Sequence, residues 1–264
     1  MMDKMFRLLV SIMLLISSHA YASDWSNNSQ ISDLFNKAGI DGTFVLYDVS
    51  TNKLIGHNKS RAFKRYVPAS TFKIANTLIG LSVGAVKDVD EVLPYGGHPQ
   101  TFAAWEKDMT LREAITISNV PIYQELARRI GKKNMSENVK RMHYGNKMIG
   151  DSVDTFWLAG PLMISAVEQT RFLSQLAQEA LPFPEHHQKN TQNIILLDKG
   201  KNWTLYGKSG WQNASENGVG WWVGWVEKDA HIYTFALNMG ITKASDPSKR
   251  QELGKASLKV LGIL

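Results

Sequence analysis

Strand-forming runs occur only towards the two ends of this chain, and that split restricts the fold more than any other feature. Thr43–Val49 (TFVLYDV) and Lys53–His57 read as early strands joined by a Ser-Thr-Asn turn. Trp203–Lys208, Val219–Glu227 and His231–Met239 read as late strands, the last two joined by a charged Lys-Asp turn. Between them the signals are helical. Pro68 precedes a helix from about Ser70 to Val83 that Gly84 stops, and Pro121 opens another that runs through Ile130 to Gly131. Thr110-x-x-Glu113 and Ser165-x-x-Glu168 are capping boxes, Pro184 begins a further helix, and Asp246-Pro247 starts the last. The expected fold is α/β in the broad sense, of the α+β type. An antiparallel sheet of five to seven strands is completed only when the chain returns, helices flank it, and an all-helical lobe is inserted between early and late strands. A cleft is expected where lobe and sheet meet.

Ahead of the first strand, Lys4 and Arg7 precede an apolar stretch from Leu8 to Ile16, and Ala20-Tyr21-Ala22 supplies a small-x-small cleavage pattern. The expected layout is a cleaved signal peptide over 1–22 and one catalytic domain over 23–264. The apolar stretch is shorter than the roughly 20 residues of a membrane-spanning helix, so no stable membrane anchor is expected. The absence of cysteine removes disulfides, thiol nucleophiles and thiolate metal sites together. The net charge of +6 is scattered rather than gathered into a stripe, which argues against nucleic acid and leaves a small anionic substrate compatible.

Three short motifs carry chemistry. Ser70-Thr71-Phe72-Lys73 places a hydroxyl and an amine on one helix face, roughly 5–6 Å apart at Cβ, beside the unpaired amides of the helix start. Lysine can activate a serine only when neutral, which burial favours. Ser50 and Lys53 share the spacing but lie in a turn with no helix behind them. Ser118-Asn119-Val120 falls at a break where Pro121 interrupts the helical pattern; Ser118 there is either a proton-shuttling hydroxyl or an ordinary cap for the Pro121 helix. Lys208-Ser209-Gly210 ends the strand from Trp203 and can hold a carboxylate while exposing an amide.

In this order the motifs resemble the penicillin-recognising serine enzymes, and the finer resemblance is to the class D serine β-lactamases, the oxacillinases. Pro68–Lys73, Ser118-Asn119-Val120, Tyr144-Gly145-Asn146, Phe156-Trp157-Leu158 and Trp221–Val226 carry it, from about Thr43 to the C-terminus. The resemblance implies a Ser70 nucleophile with Lys73 carboxylated by carbon dioxide as general base, and Ser118 as proton relay. It also implies a carbamate pocket of Val120, Trp157 and Phe72, and an oxyanion hole from the Ser70 and Trp211 amides. Lys208, Ser209, Gly210 and Arg250 would bind substrate. Bicarbonate or carbon dioxide is then the only accessory group, no metal is implied, and the partner is a small β-lactam. The implied setting is the periplasm of a Gram-negative bacterium, as monomer or homodimer, conferring β-lactam resistance.

Class A enzymes would need a Glu-x-x-x-Asn base after the second motif; Glu168 is the only glutamate near Trp157, and no asparagine follows at that spacing. His186-His187 sit side by side on a helix, where they are expected to diverge into solvent rather than hold a metal. Phe102–Trp105 and the polar loop Gln212–Asn217 are expected at the cleft entrance. Two other readings share the acylation step: a cell-wall D,D-peptidase or transpeptidase, and a β-lactam sensor that stays acylated.

Overall fold

A computed structural model describes residues 24–212, 218–242 and 246–264. The expected signal peptide at 1–22 and nearly all of the entrance loop lie outside these residues.

The short strand Trp25–Asn27 (β1) leads into the helix Ser29–Ala38 (α1), capped by the Asn28 side chain accepting from the Ile31 amide and closed by Gly39 at φ 62°. The first expected hairpin follows as Gly42–Asp48 (β2) and Lys53–His57 (β3). After Lys59–Phe63 (α2), a 3-10 turn at Ala69–Phe72 runs into Lys73–Ser82 (α3), so the expected helix begins as a tighter turn. The helical lobe holds a small ribbon of Val92–Leu93 (β4) and Met109–Thr110 (β5). Its helices continue as Leu111–Thr116 (α4), Val120–Ile130 (α5), Lys132–Arg141 (α6), Ala166–Ala177 (α7) and Glu185–Ile194 (α8). Both capping boxes form: Thr110 and Ser165 accept from the amides of Glu113 and Glu168, whose carboxylates bond back. The chain returns through Leu196–Lys199 (β6), Trp203–Gln212 (β7), Gly218–Lys228 (β8) and His231–Ile241 (β9) and ends in Asp246–Val260 (α9).

The seven strands lie in the order β1-β3-β2-β9-β8-β7-β6, so the early hairpin meets the late meander where β2 pairs with β9, Val45 opposite Ala236. The sheet is mixed rather than antiparallel throughout, because β1 runs parallel to β3. The reason is geometric: α1 reverses the chain once and the β2–β3 hairpin reverses it again, which restores the original direction.

Strand β8 (GVGWWVGWVEK) reads as a nearly continuous apolar run because it is buried on both faces. Trp221, Val223 and Trp225 face the core shared with the helical lobe, while Trp222 and Val226 face a second core with Ile31 and Phe35 of α1 and Leu253 and Leu258 of α9. This alternation follows from successive side chains leaving opposite faces of a strand. The central strands thus hold the lobe on one side and α1 with α9 on the other.

Helix α9 sits against the sheet at a glycine. A Cβ on Gly254 would lie 2.1 Å from Trp222 Cε3 and 2.5 Å from Cζ3. In an exposed helix, glycine to alanine gains up to about 1 kcal/mol. Against a buried indole the sign reverses, and Gly254→Ala is expected to lose about 1–3 kcal/mol. The check is urea unfolding: a lower midpoint at unchanged m-value is expected, and an unchanged or higher midpoint would show that α9 does not pack this closely.

Candidate active site

The nucleophile turn is fixed before it starts. Tyr66 exchanges both backbone bonds with Ile164, the Trp221 indole donates to the Val67 carbonyl at 2.9 Å, and the Ala69 amide donates to the Trp157 carbonyl at 2.9 Å. Ala69 is thereby held at φ 50°, a left-handed conformation that an alanine adopts only when its surroundings impose it. The Pro68 carbonyl accepts from both the amide and the hydroxyl of Thr71, at 3.2 and 2.7 Å, which closes the 3-10 turn around Ser70.

One turn on, Lys73 Nζ lies 2.9 Å from Ser70 Oγ. The lysine is completely buried, with its amine 5.2 Å from the centre of the Tyr123 ring. Burial, aided by the charge on Lys208, pushes its pKa well below the usual range for an amine. The group is therefore suited to receive a proton rather than to hold one.

At the second motif the capping residue is Asn119, not Ser118. The Asn119 side chain accepts from the Ile122 amide at 3.1 Å and starts α5, whereas Ser118 sits outside the helix at φ 60°. Relieved of capping, the Ser118 hydroxyl accepts from Lys208 Nζ at 2.6 Å.

The third motif does not end its strand, since β7 continues to Gln212. It begins where strand pairing on one side stops. β6 pairs β7 only as far as Tyr206, and the Gly207 amide turns to the Ile195 carbonyl. Beyond that point the open edge of β7 comes against the nucleophile turn. A Cβ on Gly210 would stand 3.0 Å from both the Pro68 carbonyl and Thr71 Cγ2, so the glycine is required by that contact. Lys208 also donates to the Ser209 carbonyl at 2.9 Å. Burial and the nearby Arg250 push the Lys208 pKa down to about 7. Arg250, on the first turn of α9, donates to the carbonyls of Gly210 and Pro247, and its stem lies over Gly220, where a Cβ would be 2.8 Å from Arg250 Cδ. Its burial also lowers its pKa.

Ser70, Ser118, Val120, Ser209, Trp211 and Arg250 line a cavity of about 480 Å³, and Lys73 and Lys208, which are not in its walls, reach it through their bonds to Ser70 and Ser118. Gly210, Phe102, Ala104 and Trp105 also reach it, as the sequence predicts, together with Thr101 and Ile117, which it does not single out, and Leu158, to which it gives no role. Leu158 had a signal, its place beside Trp157. Tyr123 had one too, lying one turn after Val120 on the same helix. A second hollow, about 410 Å³ at Gly200–Thr204 and Glu227–Ile232, has none of the three motifs.

Behind Ser70, Phe72 and Trp157 stack at 5.5 Å, with Phe156 and Tyr144 edge-on to Phe72. Trp157 Nε1 is buried without an acceptor among the described residues. A buried indole hydrogen ordinarily has a partner, so this one is placed to donate.

Glu168 takes no part in the cavity: it closes the α7 capping box and pairs with Arg65. The His186 and His187 rings lie 4.0 Å apart rather than diverging. No cluster of three metal-ligating side chains occurs among the described residues.

Residues 42–259 match the family model described as the penicillin binding protein transpeptidase domain. The chain is 37% identical over 256 residues to β-lactamase OXA-5 of Pseudomonas aeruginosa, covering 96% of each chain. It is 36% identical over 245 residues to β-lactamase OXA-48 of Klebsiella pneumoniae, covering 93% of this chain and 92% of that one. Its fold superposes with a TM-score of 0.87 on FUS-1 (OXA-85), a class D β-lactamase from Fusobacterium nucleatum, at 42% identity over 90% of this chain and 100% of that chain.

The depressed lysines give a pH dependence of definite sign. Lys208 is a cation below about pH 7 and neutral above it. Affinity of the cavity for a small carboxylate is therefore expected to fall about tenfold between about pH 6 and pH 9, as one charge-assisted bond is lost. Lys208→Arg, charged throughout, should flatten that profile. Stability moves the other way: from about 7 to the ordinary 10.5 the unfolded chain binds the extra proton, so the Lys208 contribution to stability rises with pH. Isothermal titration and pH-dependent denaturation of the parent and Lys208→Arg check both signs.

Proposed function

The chain belongs to the class D β-lactamases, hydrolases acting on β-lactams, and on that premise we propose that it opens the ring of penicillin-type substrates through an ester on Ser70, with Lys73 as the proton acceptor. The observation that carries this reading is the 2.9 Å contact between Lys73 Nζ and Ser70 Oγ, made by an amine with no exposure to water.

In the proposed sequence, Ser70 Oγ attacks the lactam carbonyl carbon and passes its proton to the Lys73 side chain. The carbonyl oxygen takes up negative charge beside the Ser70 and Trp211 amides. The carbon–nitrogen bond then breaks, and the proton taken from Ser70 reaches the departing nitrogen through Ser118. Lys73 is again free to accept a proton, now from the water that attacks the ester carbonyl, and Ser70 leaves as the restored alcohol. Lys208, Ser209, Gly210 and Arg250 hold the substrate carboxylate, Arg250 through a fork suited to two oxygens.

Carbon dioxide or bicarbonate is the one accessory group in this reading. Carboxylated on its amine, Lys73 would be held by the Trp157 indole with Phe72 and Val120 around it, and the group would supply an anionic oxygen with affinity for a hydroxyl proton. The unpartnered Trp157 hydrogen and the dry setting of the amine support it. The pattern at 1–22 supports export from the cytoplasm; the setting we propose is the periplasm of a Gram-negative bacterium, where the activity would confer β-lactam resistance. No described helix is long and apolar enough to cross a membrane.

The description of the matching family model also supports a second reading, a transpeptidase that acylates and deacylates slowly. Turnover separates the two. The protein is expected to hydrolyse a penicillin repeatedly, to lose activity when bicarbonate is removed and to regain it on readdition. Lys73→Ala should cost about 10²–10⁴-fold in turnover, the usual worth of a positioned base. One equivalent of acylation without turnover would favour the transpeptidase, or a sensor; full activity in Lys73→Ala would sink the lysine-base mechanism.

A further inference from the structure

The segment Thr101–Trp105 forms one wall of the cavity without belonging to either core. Phe102 is 49% exposed, and its ring meets Trp105 edge-on at 4.7 Å. Trp105 is tied at both ends to the break that carries Ser118. Its indole donates to the Ile117 carbonyl at 3.3 Å, and its own carbonyl accepts from Asn119 Nδ2 at 3.3 Å.

Asn119 is completely buried and uses both halves of its amide. Oδ1 caps α5 through the Ile122 amide at 3.1 Å, while Nδ2 reaches the Trp105 carbonyl and the Met109 sulfur at 3.4 Å. Its backbone amide donates to the Ala114 carbonyl at 2.8 Å, closing α4. A cap needs only an acceptor, which serine or aspartate supplies as well. The donor half is an additional function of asparagine, and it points to the wall.

We propose that Asn119 is a positioning residue for substrate selectivity, latching the Phe102–Trp105 wall to the Ser118 break so that the cavity discriminates among β-lactams by the apolar group on their acyl side chain. This rests on the Ser70 reading above. Asn119 touches no substrate; it acts through Trp105 and Phe102, whose faces offer an aromatic or bulky aliphatic group a partner that a bare ring nucleus does not use.

The test compares a penicillin bearing an aromatic acyl side chain with the penicillin nucleus lacking one. Asn119→Ser keeps a capping oxygen and is too short to reach the Trp105 carbonyl. It is expected to raise KM for the aromatic substrate about five- to tenfold, the worth of one hydrogen bond. Its kcat, and kcat/KM for the bare nucleus, should stay within about twofold of the parent. Phe102→Ala should cost about fivefold on the aromatic substrate in the parent and less than about twofold in the Asn119→Ser background, because coupled residues are not additive.

Equal losses of kcat on both substrates, an additive Phe102 penalty, or no change in KM would each overturn the proposal. Should Asn119→Ser not fold, as read by its melting midpoint, Asn119→Asp takes its place with the same expected split, since it keeps length and cap acceptor but has no hydrogen for Trp105. Failure of the Ser70 reading would appear separately, as absence of a β-lactam adduct on Ser70 in the parent. The same coupling cycle would then be read on Kd.

Discussion

Keeping an amine dry beside a hydroxyl is the constraint on which the rest of this structure depends. An ammonium removed from water is costly unless paired, and among the described residues Lys73 has no carboxylate partner; its contacts are Ser70, the Tyr123 ring and the charge of Lys208. The protein therefore stabilises the neutral form, and that choice needs continuous apolar walls. Phe72 and Trp157 come from separate segments of the lobe, Tyr123 from α5, and none can be placed unless the lobe is held against the sheet. The polar contacts follow the same logic. Tyr123 is fixed by Thr77, their oxygens 2.9 Å apart, and burial raises the Tyr123 pKa so that it stays an uncharged phenol beside the amine.

The sheet supplies the second requirement, that groups from distant parts of the chain meet at one edge. Pairing of β2 with β9 joins the first strands to the last, and Arg61 reinforces the seam by donating to Asn238 at 2.8 Å. With that join made, β7 presents its open edge to the nucleophile turn, and α9 reaches the same place from the other face. Two non-glycine residues with left-handed backbone, Ala69 and Ser118, stand on either side of the cavity. Both carry local strain that hydrogen bonds to Trp157, Ile115 and their neighbours offset.

What could be read from the sequence was what local chemistry decides. The capping boxes at Thr110 and Ser165 need only four consecutive residues, and the serine and lysine of the first motif meet because a helical turn brings them together. The five longer strands announce themselves by β-branched and aromatic content. Strands β1 and β6 do not, because three or four residues such as LLDK at an edge are held by backbone pairing alone. Helices α1 and α6 were equally silent: KKNMSENVKR is nearly all polar, and only Met135, Asn138 and Val139 turn inward. Local sequence offered Ser118 as a cap for the Pro121 helix, and Asn119, whose side chain caps as well, takes that role instead. Tertiary contacts to Trp105 and Lys208 settle the choice. The parallel pairing of β1 likewise follows from two chain reversals and from no single residue.

The order in which the site's parts leave the ribosome gives the split sheet a temporal meaning. Ser70 and Lys73 are made first, yet the turn that holds them has no facing wall until residues 203–212 exist, and Arg250 is made later still. A nascent chain therefore carries its reactive hydroxyl for most of its synthesis without the groups that would let it act. The site is complete only with β7 and α9 in place against the nucleophile turn.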